Sequence, residues 1–292
     1  MNLLLAWPGS ETLAQSLGLA LSVPVESPVT RRFPDGEAYL RVGEVQGRDV
    51  AIVASLDRPD EKTLPLLFLA DALRAEGAAS VGLIAPYLAY LRQDRQFLGG
   101  EAVTSRTFAR LLSGAFQWLV TVDPHLHRYH SLGEIYSIET AVVHAAPEIA
   151  AWIKTNVESP LVIGPDSESE QWVSEIAGAI GAPFATLEKT RRGDRDVEVT
   201  IPRIERWPGH TPVLADDIVS TGRTMVAAIG RLAELKRLAP VCIGVHAIFA
   251  QDAWQALMAA KPARIATCNT IEHPTNAIDL TAALAAGIRK LV

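Results

Sequence analysis

Eight short apolar runs recur along the chain, and most of the segments between them carry the helical period. The runs are Leu3–Ala6, Val50–Ala54, Val81–Ala85, Trp118–Val122, Leu161–Gly164, Val213–Ala215, Val241–His246 and Arg264–Thr267. Helical spacing of apolar residues marks Glu61–Glu76, Ser105–Leu112, Gln171–Ile180 and Thr224–Leu235. A strand buried on both faces reads as an unbroken apolar run, and strands alternating with helices build parallel sheets covered by those helices. The expected fold is therefore α/β, with mainly parallel sheets flanked by helices. The runs fall into an earlier group ending near Val122 and a later one beginning near Leu161, separated by a helix-like stretch, Ala141–Thr155. A chain of 292 residues is long enough for two domains of ordinary size, expected at 1–142 and 143–292.

Apolar residues at 49% and charged residues at 21%, with no low-complexity tract, predict a soluble globular protein folded throughout. A net charge of -6 argues against nucleic acid as the main partner, because phosphate backbones are bound by surplus Lys and Arg. A small anionic substrate stays compatible, since local clusters and metal ions outweigh a modest global charge. The opening MNLLLAWPGS has no basic flank and its apolar run ends at Trp7, too short for a signal peptide or a membrane span. It reads as a first buried strand. Cys242 and Cys268 sit in or beside strand-like runs and indicate no disulfide framework, so the expected compartment is cytoplasmic.

In each group one strand runs into an acidic turn: TVDPH at Thr121–His125 and LADDIVS at Leu214–Ser220. The pairing hints at duplication of one α/β unit. Ligands of open parallel sheets gather beyond the carboxyl ends of strands, so these turns are where a site should lie. In VLADDIVSTGRT, Val213–Ala215 form the strand, Asp216 and Asp217 its end, and Ser220–Thr224 the turn into a helix continued from Met225. Gly222 permits a positive φ, and the free N–H groups of a helix start make an anion site. Hydroxyls of Ser220, Thr221 and Thr224 add donors, while paired carboxylates suit vicinal hydroxyls, directly or through a divalent metal. An N-cap turn with exposed aspartates explains Asp or Ser alone, but not DD followed at this spacing by STGRT.

Four other stretches carry less by themselves. RRFPDGEAYLRV, Arg31–Val42, has a Pro-Asp-Gly turn that chemistry alone reads as a plain hairpin. Arg92 and Arg95, in YLRQDRQFLGGEAVT, could clamp a triphosphate or face solvent. Asp123, His125 and His127 of TVDPHLHRYH form a plausible metal cluster, even that of a zinc hydrolase. LEKTRRGDRDVEV, Leu187–Val199, reads as a basic hairpin between strands.

Taken in order, these segments resemble the ribose-phosphate diphosphokinases. The Asp216–Thr224 loop alone is similar to the phosphoribosyl loop of those enzymes and of type I phosphoribosyltransferases, and does not separate the two. FPDGE and YLRQD, in that order, are similar to the diphosphokinase ATP site. The resemblance implies two tandem phosphoribosyltransferase-like domains, an ATP-binding one followed by a ribose 5-phosphate-binding one. It implies that Phe33, Asp35, Gly36 and Glu37 contact adenosine across a homodimer or larger oligomer, with Arg92, Gln93 and Asp94 at adenine and phosphates. His125, supported by Asp123, and Asp166 of VIGPDSESEQW would bind Mg²⁺. Lys189 and Arg191 match the K-x-R of a catalytic loop, with Arg191 also at ribose 5-phosphate beside Asp216, Asp217, Ser220, Thr221, Gly222, Arg223 and Thr224. The implied reaction moves the diphosphoryl group of ATP to O1 of ribose 5-phosphate. Departures are Arg223 in place of a second glycine, Glu168 and Ser169 in place of a glycine pair, and LGGEAVT, which looks closer to archaeal members. A silent regulatory paralogue, a type I phosphoribosyltransferase and the zinc hydrolase are the alternatives.

Overall fold

Each of the eight apolar runs is a strand, and each pairs only with parallel neighbours. The computed structural model describes residues 1–192 and 196–292, with side chains for 1–188 and 200–292. Two units divide it: Met1–His144 with Thr270–Glu272 and Leu280–Val292, and Ala145–Asn269 with His273–Asp279. The contacts thus do not follow a single cut of the chain.

The first unit runs β1 (Leu3–Ala6), α1 (Glu11–Leu21), β2 (Val25–Glu26), β3 (Val29–Arg32), β4 (Ala38–Arg41), β5 (Asp49–Val53), α2 (Pro59–Ala75), β6 (Ser80–Ile84), α3 (Thr104–Ala115), β7 (Trp118–Val122) and β8 (Glu139–Val143). The second runs α4 (Ala146–Asn156), β9 (Pro160–Gly164), α5 (Glu170–Ile180), β10 (Phe184–Thr186), β11 (Glu188–Arg192), β12 (Asp196–Thr200), β13 (Thr211–Ile218), α6 (Arg223–Glu234), β14 (Val241–His246), α7 (Ala253–Ala259), β15 (Arg264–Cys268) and β16 (Asn276–Ile278). The last helix, α8 (Thr281–Ile288), returns to the first unit, where it packs on α1, β7 and β8.

The sheets have the orders β2-β1-β5-β6-β7-β8 and β10-β9-β13-β14-β15-β16, so the two units repeat one topology. Outside them lie two antiparallel ribbons, β3-β4 and β11-β12. The central strands are buried along almost their whole length, and Leu66, Leu69, Leu73, Phe108 and Leu112 of α2 and α3 close one face of the first sheet. Burial of this kind is worth about 1.5–3 kcal/mol per large apolar side chain, which offsets the entropy of ordering the chain.

The helix expected over Ala141–Thr155 is two elements. Residues 139–143 pair with β7 as an edge strand, with Val120 opposite Ala141, and the helix starts only at Ala146 with Pro147 in its first turn. The β-branched pair Val142–Val143 suits a pleated sheet, and a proline is tolerated where helical N–H groups lack partners anyway.

In both sheets the second strand pairs outside the first and the third on its other side, which creates a crevice at the carboxyl ends where the winding reverses. In the second unit this point lies between β9 and β13. Just beyond β13, Val219 lays a methyl group against Gly244 of β14, leaving no room for a Cβ there. Gly244→Ala is expected to destabilise the protein by about 1–3 kcal/mol, as overpacking does. An unchanged midpoint in urea unfolding would show that Val219 is not so held.

Candidate functional site

The DDIVSTGRT stretch occupies the switch point of the second sheet. β13 runs through both carboxylates to Ile218, and α6 begins at Arg223, one residue earlier than the apolar period indicates. Gly222 is the N-cap with φ +66°, the left-handed conformation the turn requires. The first helical N–H with an acceptor is that of Val226, on the Gly222 carbonyl at 2.9 Å. Among the described residues no acceptor takes the N–H groups of Thr221, Gly222, Arg223, Thr224 and Met225. Such amides, at the positive end of a helix, attract an anion. Ser220, Thr221, Arg223 and Thr224 are exposed or half-buried around them. A cleft lined by Pro165, Leu187, Leu214, Asp216, Thr224 and Met225 joins this turn to the end of β9.

Three carboxylates meet at the same point. The Asp216 carboxyl is pushed well above the usual carboxylate range, first by burial, then by the charge of Asp217 and a hydrogen bond with it, and then by the charge of Asp166. Asp166 follows β9, where it closes a reciprocal cap: its Oδ1 accepts the Ser169 N–H at 3.2 Å and the Ser169 hydroxyl donates to its carbonyl at 2.6 Å. The Ser169 hydroxyl also fills the space above Gly164 that a Cβ would need. Ser169, where the resemblance expects glycine, is therefore a local brace, and Glu168 and Glu170 beside it are exposed.

β11 leaves the wall of the cleft. Leu187 extends the β9–β10 pairing through its N–H to the Gly164 carbonyl at 2.9 Å, and the ribbon then sets Lys189 opposite Val199 and Arg191 opposite Val197. The side chains of Lys189 and Arg191 lie outside the described residues.

In the first unit the structure brings two predicted segments together. Arg92-Gln93-Asp94 follows β6 and Asp123–His130 follows its neighbour β7, so both emerge at the same sheet edge. Asp94 is buried, with both carboxylate oxygens on Arg128 Nη1 at 2.8 and 3.0 Å, and its carbonyl accepts the Tyr129 hydroxyl at 3.1 Å. Arg92 is exposed and Gln93 half-buried, its carbonyl taking the Ser105 N–H at 3.3 Å. Asp94 thus holds its segment in place while Arg92 stays at the surface. Arg128 and Tyr129 sit inside TVDPHLHRYH, but no spacing rule singles them out. In the following loop Glu101 accepts the N–H groups of Phe97 and Leu98 at 2.7 and 2.9 Å, which gives the glycine-glutamate form a structural reason.

Asp123 takes φ +32°, and its carboxylate lies 2.9 Å from Nδ1 of His144, a partner that sequence spacing did not reveal. His125 and His127 meet edge to face at 4.0 Å. Phe33, Asp35, Gly36 and Glu37 form the exposed tip of the β3-β4 hairpin, closed by the Gly36 N–H to the Phe33 carbonyl at 2.9 Å and the Glu37 N–H to Asp35 at 3.2 Å. The hairpin predicted from Pro-Asp-Gly is present, and it displays the side chains that the resemblance assigns to a nucleotide.

Among the described residues no three His, Cys, Asp or Glu side chains form a ready metal cage. Mg²⁺ requires none, because it takes one or two carboxylates together with substrate oxygens and water. The repulsion among Asp166, Asp216 and Asp217 is the kind of charge excess that a hard divalent cation offsets, so these residues fit the ion.

Removing Arg128 strands a buried carboxylate. Arg128→Met is expected to cost about 2–3 kcal/mol, discounted because the arginine is half exposed. The check is a comparison with Asp94→Asn/Arg128→Met, which should recover part of the loss; equal losses would refute the pairing. Asp216 generates a pH dependence. Its folded proton affinity exceeds the unfolded one, so above the ordinary carboxylate range the native state binds more protons and stability falls as pH rises. Asp216→Asn should flatten that fall in the ligand-free protein. Parallel wild-type and variant profiles would show that the carboxyl is not crowded.

Two family models cover most of the chain: the N-terminal domain of ribose phosphate pyrophosphokinase over residues 3–115 and the phosphoribosyl transferase domain over residues 131–282. The ribose-phosphate pyrophosphokinase of Sulfolobus acidocaldarius is 36% identical over 254 residues, which cover 85% of this chain and 86% of the relative. That of Saccharolobus solfataricus is 34% identical over 273 residues, covering 90% and 91%. The crystal structure of phosphoribosylpyrophosphate synthetase from Mycobacterium smegmatis is similar with a TM-score of 0.86 at 26% identity, covering 100% of this chain and 99% of that one. Among the described residues no helix is long and apolar enough to cross a membrane. With family models over most of its length and relatives of 34–36% identity aligned over 85–90% of it, the chain belongs to the ribose-phosphate pyrophosphokinase family.

Proposed function

We propose that the protein transfers the diphosphoryl group of ATP to O1 of ribose 5-phosphate, giving 5-phosphoribosyl 1-diphosphate and AMP. The observation that carries this reading is the meeting of the Asp216–Asp217 pair with the unbonded amides of the α6 start. Phosphate goes to the amides of residues 221–225 and to the hydroxyls of Ser220, Thr221 and Thr224, with Arg223 adding charge. The ribose hydroxyls donate to Asp216 and Asp217. O1 attacks the β-phosphorus, the bond to the oxygen bridging toward AMP breaks, and AMP leaves. Lys189 and Arg191 stabilise the negative charge that develops, while positioning supplies much of the remainder.

In the donor half, Arg92 and Gln93 hold adenine and phosphates, braced by Asp94. The exposed Phe33–Glu37 tip serves the nucleotide of a neighbouring copy, so the working form is a homodimer or larger. Asp166 of the second unit would hold Mg²⁺, as would His125 with Asp123 nearby in the first, and the ion would supply charge neutralisation. Cys242 and Cys268, both buried thiols, suit a cytoplasmic protein.

Incubation with ATP, Mg²⁺ and ribose 5-phosphate should yield AMP and the 1-diphosphate in equal amounts. Nucleotide binding without product at any phosphate concentration indicates a silent regulatory paralogue instead, and nucleobase-dependent release of diphosphate indicates a phosphoribosyltransferase. Lys189→Ala is expected to lower kcat by about 10²-fold with smaller changes in KM, as for a group acting mainly in the transition state. Near-normal turnover would remove Lys189 from the mechanism.

A further inference from the structure

Two residues of the loop after β14, Phe249 and Gln251, take φ +40° and +58°, a region side chains larger than glycine rarely enter. This loop is sewn to the anion turn. The Phe249 N–H donates to the Val219 carbonyl at 2.9 Å and the Ala250 N–H to the Ser220 carbonyl at 3.0 Å. The second bond fixes a peptide plane. In a trans peptide the N–H lies opposite the C=O, so holding the Ser220 carbonyl on Ala250 turns the Thr221 N–H away from the loop, and that N–H is the first of the unbonded amides.

The strained backbone is held from outside by rings. Phe249 packs on His273 at 4.5 Å with a 35° tilt and on Trp254 at 5.4 Å edge to face, and Trp254 meets His273 at 5.1 Å. Pairs at such distances are attractive beyond their buried area. His273 is itself braced: its Nδ1 accepts the Thr275 N–H at 3.3 Å and lies 2.8 Å from the Thr275 hydroxyl, which is 2.8 Å from the Thr267 hydroxyl. The Asn276 side chain adds bonds of 2.9 and 2.8 Å to the Thr267 hydroxyl and the Cys268 carbonyl. An unbroken series of contacts therefore runs from β15 through His273 and Phe249 to the Ser220 carbonyl.

We infer that the Phe249–Trp254–His273 cluster is a positioning clamp that aims the Ser220–Thr224 turn at the phosphate of its sugar-phosphate substrate. The inference rests on the function proposed above for that turn. None of the three residues touches the substrate; they act through the backbone of residues 219–221.

The test uses the full-length protein with Phe249→Leu, which keeps apolar volume but removes the ring, and with His273→Ala and His273→Phe. Phe249→Leu and His273→Ala should raise the KM for ribose 5-phosphate by about tenfold, since misplaced donors weaken binding and orientation, while the KM for ATP moves less than about twofold. His273→Phe, which restores a ring but not the bonds of Nδ1 to Thr275, should recover much of the loss. An unchanged ribose 5-phosphate KM, equal rises in both KM values, or a His273→Phe variant as impaired as His273→Ala would overturn the clamp. Amide exchange supplies a readout independent of turnover: peptides spanning residues 219–226 and 249–250 should exchange faster in Phe249→Leu and His273→Ala, and more slowly in His273→Phe than in His273→Ala. If the wild type makes no product from ATP and ribose 5-phosphate, the proposed function falls by itself. Unchanged exchange in Phe249→Leu overturns the clamp in either case.

Discussion

Parallel pairing fixes where chemistry can occur in this protein. When every strand of a sheet runs the same way, each strand must be followed by a crossover, and all the carboxyl ends collect along one edge. Interior strands are buried on both faces and are mostly apolar, so polar groups concentrate at the strand ends and in the turns beyond that edge. RQD and DPH lie in such turns, and DDIVSTGRT runs from the end of β13 through its turn into α6. Their distance in sequence follows from the crossovers, and within the first unit adjacent strands β6 and β7 bring RQD and DPH together. The ion pair between Asp94 and Arg128 is possible only because those strands are neighbours.

At the second unit's edge two electrostatic features of opposite sign coexist. The start of α6 offers unbonded N–H groups and partial positive charge, whereas at the end of β13 burial, and then the charges of Asp217 and of Asp166 beyond β9, raise the proton affinity of Asp216. Among the described residues the amides of residues 221–225 lack acceptors, and the Asp216 carboxyl stays well above the usual carboxylate range. A ligand with phosphate at one end and vicinal hydroxyls at the other satisfies both, and a divalent cation offsets the remaining negative charge. Under the proposed function, the polarity of the cleft would orient the sugar phosphate as well as attract it.

Much of this was legible in the sequence because burial and backbone geometry leave local signatures. Continuous apolar runs located every central strand, and glycine at 222 announced a left-handed turn. Features set by partners distant in sequence were not legible. Val142 and Val143 join a strand because β7 is beside them, although their spacing also fits a helix. Asp94 looks like one more polar residue of RQD until Arg128, 34 positions later, is seen to hold it. The return of α8 to the first unit has no local signal, and Phe249 and Gln251 adopt left-handed φ without the glycine that would have marked it. The ribbon carrying Lys189 and Arg191 was read as a basic hairpin, and only the resemblance gave those residues a role.

The repeated topology shows why one switch point reads as a site and the other does not. Between β1 and β5 the first unit has the same reversal of winding, but its polar groups are paired internally. Ser55 is buried; its N–H donates to the Ser10 hydroxyl at 3.2 Å, its hydroxyl to the Thr270 carbonyl, and its carbonyl accepts Lys62 Nζ at 2.9 Å. Lys62 is neutralised in turn by Asp57 at 2.5 Å. Between β9 and β13, by contrast, like charges are crowded and amides lack acceptors, an arrangement that folding alone does not favour. If duplication of one α/β unit gave rise to the chain, the two crevices diverged in this respect: one was closed by serine and lysine hydrogen bonds, and the other kept an electrostatic imbalance that the proposed sugar-phosphate substrate would resolve.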